Sequence, residues 1–482
     1  MPQQTQSHHA LYADLCNIAG QENVSDEEYV RRSYTRGPFM KVYGYGGKRG
    51  KVPGIVIRPN TTEEISAILK LANRTGFAVV PKGGGGSLSA FPPPHVGTDS
   101  NILIDTTRMN RILELNKEYM IVTAECGIIL SQLAEEVRKE GFLLHTVDVP
   151  IHMDTLGGVL SGFIGGGEPA DLATSGTMSK YLLGLKIVLP TGEIIQTGGG
   201  PGTNIHQSKV LHREAHSPDM TGMFIADAGM FGIKTEATIS LLPYPTSSIN
   251  GTFDMGAVEN AWNAVSKAVS IEPYPYTRLM LLRRSNETAV LLYVIRGHSK
   301  EETALKKKIL EDVLSSYGGK PGGYGFAMEI GNLFSARQLG KEVLPRANIM
   351  TYFGESLIPR SLVPQWLKYL NKVLDEKFND LDIVVRCDFA LPYLRALSVC
   401  GILVYFGKKT PSEVVTERMR DYIENEWHQI MFEEYGGFTE LAQGMGSVQS
   451  ASVWSPNYKS FMQTIKRALD PNNILMPGLW RL

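Results

Sequence analysis

The chain has 482 residues, 43% of them hydrophobic, and a formal net charge of -1. That length exceeds what one simple core organises, so two domains are expected, and the balanced charge excludes a basic nucleic-acid surface or an acidic tail. Its four cysteines, Cys16, Cys126, Cys387 and Cys400, form no C-x-x-C pair, which argues against a zinc site, an iron–sulfur cluster or a disulfide framework and fits a reducing compartment.

In chain order, Met1 to Ala10 is polar with no apolar signal core, and no run reaches the ~18 apolar residues that cross a bilayer. A cytoplasmic protein without a transmembrane segment is expected. Thr61-x-x-Glu64 is a capping box ahead of Ile65, Ile68, Leu69 and Ala72 on one helical face. Gly76 stops that helix, and Phe77 to Val80 reads as a strand entering Pro81-Lys82-Gly83-Gly84-Gly85-Gly86-Ser87. Strands are expected at Ile102 to Asp105 and Met120 to Ala124, and a helix at Leu130 to Val137 ending near Gly141. Leu185 to Leu189 and Glu193 to Gln196 flank Pro190-Thr191-Gly192 as a hairpin, and Glu236 to Leu242 closes the first half.

The second half reads differently. Helices are expected at Val258 to Val269, Lys300 to Ser315, Leu362 to Lys377 and Ser412 to Glu434. A few strands lie between them, at Ala289 to Ile295, Asp382 to Arg386 and Ser398 to Phe406. With no phosphate loop, this half suggests an α+β cap that carries the substrate.

A diphosphate needs several backbone N–H groups at close range, which side chains obstruct and glycine does not. Gly83 to Gly86 follow an apolar strand directly, as such a turn requires; the alternative is a surface linker. The run lacks the G-x-G-x-x-G and G-x-x-x-x-G-K-[ST] spacings, and Pro92-Pro93-Pro94 prevents a long helix from following at once. It is not a Rossmann nucleotide turn.

Ile55 to Pro59, the capped helix, the strand and the glycine run together resemble the opening of the FAD-binding domain of the vanillyl-alcohol oxidase/p-cresol methylhydroxylase superfamily. Further matches follow in order: Asp154-Thr155-Leu156-Gly157-Gly158, Ser175-Gly176-Thr177 before Gly184 to Gly192, Phe231-Gly232-Ile233-Lys234-Thr235-Glu236, and the closing Asp470 to Gly478. The resemblance implies an α+β fold in which a p-cresol-methylhydroxylase-type (PCMH-type) FAD-binding domain of two α/β subdomains carries an inserted α+β cap. The implied division is an N-terminal extension (1–48), the FAD-binding domain (49–245), the cap (246–454) and a tail returning to the FAD domain (455–482). Carried over, it sets Gly83, Gly84, Gly85, Gly86, Ser87 and Leu88 on the diphosphate. Thr155, Gly157, Gly158 and Ser161 would line the flavin, and Ile233 would hold it through the main chain. Phe163, Ser175 and Ala228 stand where relatives often have Asn, Tyr and Glu.

Relatives acting on 2-hydroxy acids, the glycolate and D-lactate dehydrogenase branch, carry two histidine motifs in the cap. Here the first is absent and Ala442-Gln443-Gly444-Met445-Gly446 places glutamine in the second, so no metal is expected. No Tyr-x-Arg pair of the phenol branch is clear either. Arg386 and Tyr393, with Arg395, are candidates to grip a substrate carboxylate. His145 and His152 beside the second flavin loop, and Glu440, are candidate bases. The turn offers no residue for covalent attachment, so FAD is expected to bind non-covalently. The expected activity is oxidation of a small alcohol, a 2-hydroxy acid by preference. Two alternatives stand: oxidation of a benzylic or phenolic alcohol, and a flavin subunit relaying electrons within a complex. Expected partners are the substrate and, in open readings, an electron-transfer protein, a partner subunit or further copies of the chain.

Overall fold

The computed structural model describes residues 8–35, 51–85, 101–145, 153–162, 178–200, 202–203, 211–213, 217–283, 288–322, 347–393, 396–407, 409, 411–422, 426–439 and 451–482. The first sheet has β1 (Val24–Ser25), β2 (Ile55–Ile57), β3 (Val79–Lys82) and β4 (Ile102–Asp105), in the order β1-β2-β4-β3. β4 lies parallel between β2 and β3. β2 and β4 are buried at every position, as central parallel strands must be, which is why they read as unbroken apolar runs.

The helix Thr62–Thr75 starts where the capping box put it: Glu64 N–H donates to Thr61 Oγ1 at 3.1 Å. The Glu64 carboxylate reaches back to Asn60 N–H, one residue earlier than the reciprocal bond of a capping box. Gly76 ends the helix in the left-handed region at φ 78°. The N-terminal segment belongs to the same body. Its helix His8–Ala19 buries Leu11 and Leu15, and β1 pairs antiparallel with β2.

A second sheet is built from β5 (Ile112–Asn116), β6 (Ile121–Glu125), β8 (Leu182–Val188), β9 (Ile194–Gln196) and β10 (Ile233–Ser240), in the order β5-β6-β10-β8-β9. β8 and β9 form the expected hairpin, with Gly192 at φ 89°. Two short strands, β7 (Phe142–Leu143) and β11 (Leu242–Pro243), pair beside it. One hydrophobic core joins both sheets and extends from Leu11 to Leu241, resuming at Ala451 and running to Trp480.

A separate core spans Phe253 to Tyr435. It lies on an antiparallel sheet of eight strands: β12 (Ser247–Ala257), β13 (Arg278–Arg283), β14 (Thr288–Gly297), β15 (Lys320–Pro321), β16 (Ala347–Pro359), β17 (Ile383–Tyr393), β18 (Leu397–Gly407) and β19 (Phe438–Thr439). This is more sheet than the sequence suggested. β12 and β16 carry interior glycines and polar residues, and Arg278–Arg283 reads as readily as a leucine-rich helix. Of the helix expected over 412–434, Ser412–Tyr422 and His428–Glu433 are helical among the described residues, and Trp427 is buried with its ring 6.4 Å from that of Trp366.

The tail docks on the first sheet. Val79 N–H donates to Ile474 O at 2.8 Å and Met476 N–H to Val79 O at 2.9 Å, covering the open edge of β3. The helix Pro456–Leu469 supplies Lys466, whose buried Nζ donates to Asp470 Oδ2 and to Leu475 O, each at 2.6 Å. The Asp470 carboxylate also accepts the N–H groups of Ile474 and Leu475 at 2.9 Å. Asp470→Asn strands the Lys466 cation and loses an acceptor, so a loss of about 3–5 kcal/mol in the stability of this body is expected. Urea unfolding followed by near-ultraviolet circular dichroism measures it; a loss near zero would mean the tail is not held by this carboxylate.

Candidate functional site

Three loops, far apart in sequence, meet at the end of β3. The first is the glycine turn, of which Gly83, Gly84 and Gly85 are described; Gly86, Ser87 and Leu88 lie outside the described residues. A Cβ on Gly83 would collide with Thr155 Oγ1, and one on Gly84 with the Met153 carbonyl oxygen. Gly85 has φ +80°, and a Cβ there would lie 2.5 Å from Lys82 Nζ. Glycine is therefore required at Gly84 because the backbone packs on a second backbone, at Gly83 because the turn lies on the Thr155 side chain, and at Gly85 by its left-handed φ.

That second backbone carries the next group of expected site residues. Thr155 is fully buried and caps the helix Leu156–Ser161, its Oγ1 accepting Gly158 N–H at 3.2 Å. Leu156 N–H donates to Ile128 O at 3.0 Å, Gly157 N–H to Cys126 O at 2.7 Å, and Leu130 N–H to Asp154 O at 2.9 Å. A Cβ on Gly157 would lie 2.9 Å from Cys126 Cβ, so the loop presses on β6 and its continuation. Burial raises the Cys126 thiol well above its ordinary range, and it packs as a neutral hydrophobe.

The third loop, residues 226–233, closes against both. Ala226 N–H donates to Leu160 O and Ala228 N–H to Ser161 O, each at 2.9 Å. Gly229, at φ +76°, approaches Pro81: a Cβ on it would lie 2.9 Å from Pro81 Cγ. Its organiser is Asp227. The carboxylate accepts Gly229 N–H at 2.9 Å, Phe231 N–H at 3.3 Å and the Lys234 ammonium at 2.7 Å, with both side chains of the ion pair 1% exposed. Every charge on this buried pair is answered by a partner. Ile233, the expected main-chain contact, begins β10 and is buried.

The structure thus brings Gly83 to Gly85, Thr155, Gly157, Gly158, Ser161 and the loop leading to Ile233 together. Of the candidate bases, His145 is buried at 4% exposure with its ring 4.6 Å from that of Tyr181; His152 and Glu440 lie outside the described residues, as do Arg395, Gln443 and Ser175 to Thr177. Arg386 and Tyr393 both fall within β17, in register with Val404 and Leu397. No group of three His, Cys, Asp or Glu among the described residues could hold a metal. Among them, too, no helix is long and apolar enough to cross a membrane.

Sequence reasoning missed Lys82, Asp227 and Lys234. Lys82 stands at the head of the glycine run, where the reading rests on backbone N–H groups and gives its side chain no role. Asp227 is adjacent to Ala228, the position noted as lacking the acid of relatives. On the eight-stranded sheet, burial and then the Arg296 charge lower the pKa of the Arg278 guanidinium to about 10.

Comparison with known proteins fits this geometry. A family signature described as an FAD binding domain covers residues 53–198. The glycolate oxidase subunit GlcD of Bacillus subtilis (strain 168) is 25% identical, over 96% of this chain and 95% of that protein. A D-lactate dehydrogenase of Archaeoglobus fulgidus is 25% identical over 88% and 90%. A crystal structure of p-cresol methylhydroxylase with substrate bound shares the fold, with a TM-score of 0.74 at 17% identity over 99% of this chain and 97% of that one.

Because the turn abuts Met153, Gly84→Val is expected to abolish flavin retention. The absorbance ratio of flavin to protein in the purified variant tests this, and a normal ratio would remove the turn from the site.

Proposed function

We propose that this chain, whose N-terminal half carries a PCMH-type FAD-binding domain, is an FAD-dependent oxidoreductase acting on the CH–OH group of a small 2-hydroxy acid. The observation that carries the reading is the convergence of three loops at the end of β3, whose glycines let the main chains meet with no side chain of their own in the way. A main chain bare of side chains is the chemistry a dinucleotide's diphosphate requires, which supports the assignment. Gly83 to Gly85, continuing into Gly86, Ser87 and Leu88, would hold the diphosphate. Thr155, Gly157, Gly158 and Ser161 would line the flavin, and Ile233 would meet it through its main chain. Bound FAD supplies a hydride acceptor.

What remains is the work of this chain's own residues. One base must take the hydroxyl proton as the neighbouring carbon is oxidised, and His145, His152 and Glu440 are the candidates. Arg386 and Tyr393 are proposed to orient the substrate carboxylate, with Arg278 a further cation on the same sheet. The preference for a 2-hydroxy acid is supported by alignment with glycolate oxidase and D-lactate dehydrogenase over most of the chain. The same reading assigns 49–245 with 455–482 to the flavin domain and 246–454 to the cap, supported by the two separate cores, although the first core also takes in Leu11 to Val24 and Ala451.

Anaerobic mixing with a panel of D- and L-2-hydroxy acids and aromatic alcohols is expected to bleach the flavin with a hydroxy acid. Bleaching by aromatic alcohols alone would replace this substrate class, and no bleaching by any would favour an electron-relaying subunit. With glutamine at Gln443, reduction is expected to be unchanged by a strong chelator; a loss restored by zinc or manganese would overturn metal independence. Acid precipitation is expected to release the yellow colour, because Lys82 to Ser89 contains no histidine, cysteine or tyrosine. A yellow pellet carrying a flavin-modified peptide would show covalent attachment.

A further inference from the structure

The FAD-binding signature begins at residue 53, yet a residue from the preceding segment reaches the glycine turn. Tyr34 follows the helix Glu28–Ser33, and its hydroxyl donates to Asp105 Oδ2 at 2.7 Å. Its ring centroid lies 5.4 Å from Lys82 Nζ. Lys82 and Asp105 are register partners at the ends of β3 and β4. No direct ion pair joins them among the described residues. Asp105 is instead engaged elsewhere: Oδ1 accepts Thr107 N–H at 2.9 Å and Thr107 Oγ1–H at 2.6 Å, and Arg58 Nε lies 3.7 Å from Oδ2.

The Lys82 ammonium consequently sits within the curve of the turn. It donates to Gly83 O at 3.2 Å, and only the missing Cβ of Gly85 admits it. Burial pushes its pKa down, against the pull of Asp105. A cation desolvated in this way gains most from an anion brought into contact. One of its three donors is used by Gly83 among the described residues.

We propose that Lys82 is the counter-charge for the dinucleotide's diphosphate, presented through the glycine turn and held in place by Tyr34, so that the segment before the FAD-binding domain completes the cofactor site. The inference rests on the reading that this turn takes a diphosphate. Its parts are separable. Asp105 and Tyr34 position the ammonium, and Lys82 alone carries the charge.

The test uses full-length apoprotein titrated with FAD and with riboflavin, which has the ring system but no diphosphate. Lys82→Met is expected to weaken FAD about 10- to 100-fold, the range for a charge-assisted hydrogen bond, and to leave riboflavin unchanged. Lys82→Arg should recover most of the loss. The fall of FAD affinity with rising salt should be shallower for Lys82→Met than for the unaltered protein. Tyr34→Phe keeps the ring and removes the bond to Asp105, so a smaller loss confined to FAD is expected. Unchanged FAD affinity and salt dependence in Lys82→Met would overturn the proposal, as would equal weakening of both ligands, the mark of a purely structural lysine. If Lys82→Met does not fold, the titrations of Lys82→Arg and Tyr34→Phe decide on the same FAD-specific criterion. Failure of the unaltered chain to bind FAD would instead remove the reading of the turn itself.

Discussion

The site depends on one close approach: the glycine turn lies directly on the backbone of Met153 to Thr155. Any side chain at Gly83 or Gly84 would occupy the space of Thr155 Oγ1 or the Met153 carbonyl. Two loops about seventy residues apart, each part of a different sheet's connections, are thereby fixed against each other, Gly84 on the Met153 main chain and Gly83 on the Thr155 side chain. Thr155 serves both roles, since the hydroxyl facing Gly83 is also the cap of the helix Leu156–Ser161. The turn and the second loop are a single element that the chain visits twice.

Buried charge braces that element from behind. Asp227 and Lys234 lock the third loop, which returns hydrogen bonds to Leu160 and Ser161 and touches Pro81. Lys466 and Asp470 do the same for the tail along β3, and Lys466 Nζ also reaches Met230 O at 3.4 Å. These pairs are surrounded by main-chain donors and acceptors, which offsets much of the desolvation that makes a buried ion pair costly. Their value is in geometry: a carboxylate accepting two N–H groups specifies a loop conformation that apolar packing would leave degenerate.

The cap solves a different problem with similar means. Its sheet buries Arg283 opposite Asp388 in cross-strand register, the guanidinium also donating to Leu367 O at 2.6 Å. This ties β13 to β17 and to the helix Val363–Lys377. With both side chains buried, the pair fixes strand register and helix position together.

Local sequence determined a good deal by itself. The helix Thr62–Thr75 followed from its capping box and Gly76, the hairpin at Gly192 from its turn residues, and β3 and β4 from short apolar runs, because each is specified by neighbours in the chain. The glycine run and the ordered family motifs made the FAD-binding domain legible. Tertiary structure alone decided the eight-stranded cap sheet, since β12, β13 and β16 are strands only by virtue of what pairs with them. It alone decided which charged residues are buried and with whom: Asp227 with Lys234, Lys466 with Asp470, and Tyr34 with Asp105 beside Lys82. Lys466 and Asp470 stand at i,i+4 and Asp227 and Lys234 seven residues apart, so spacing permits each pair, but a pattern in sequence does not say which charges are buried. That, and the meeting of Tyr34 with Asp105 across 71 residues, is set by what the rest of the chain packs over them.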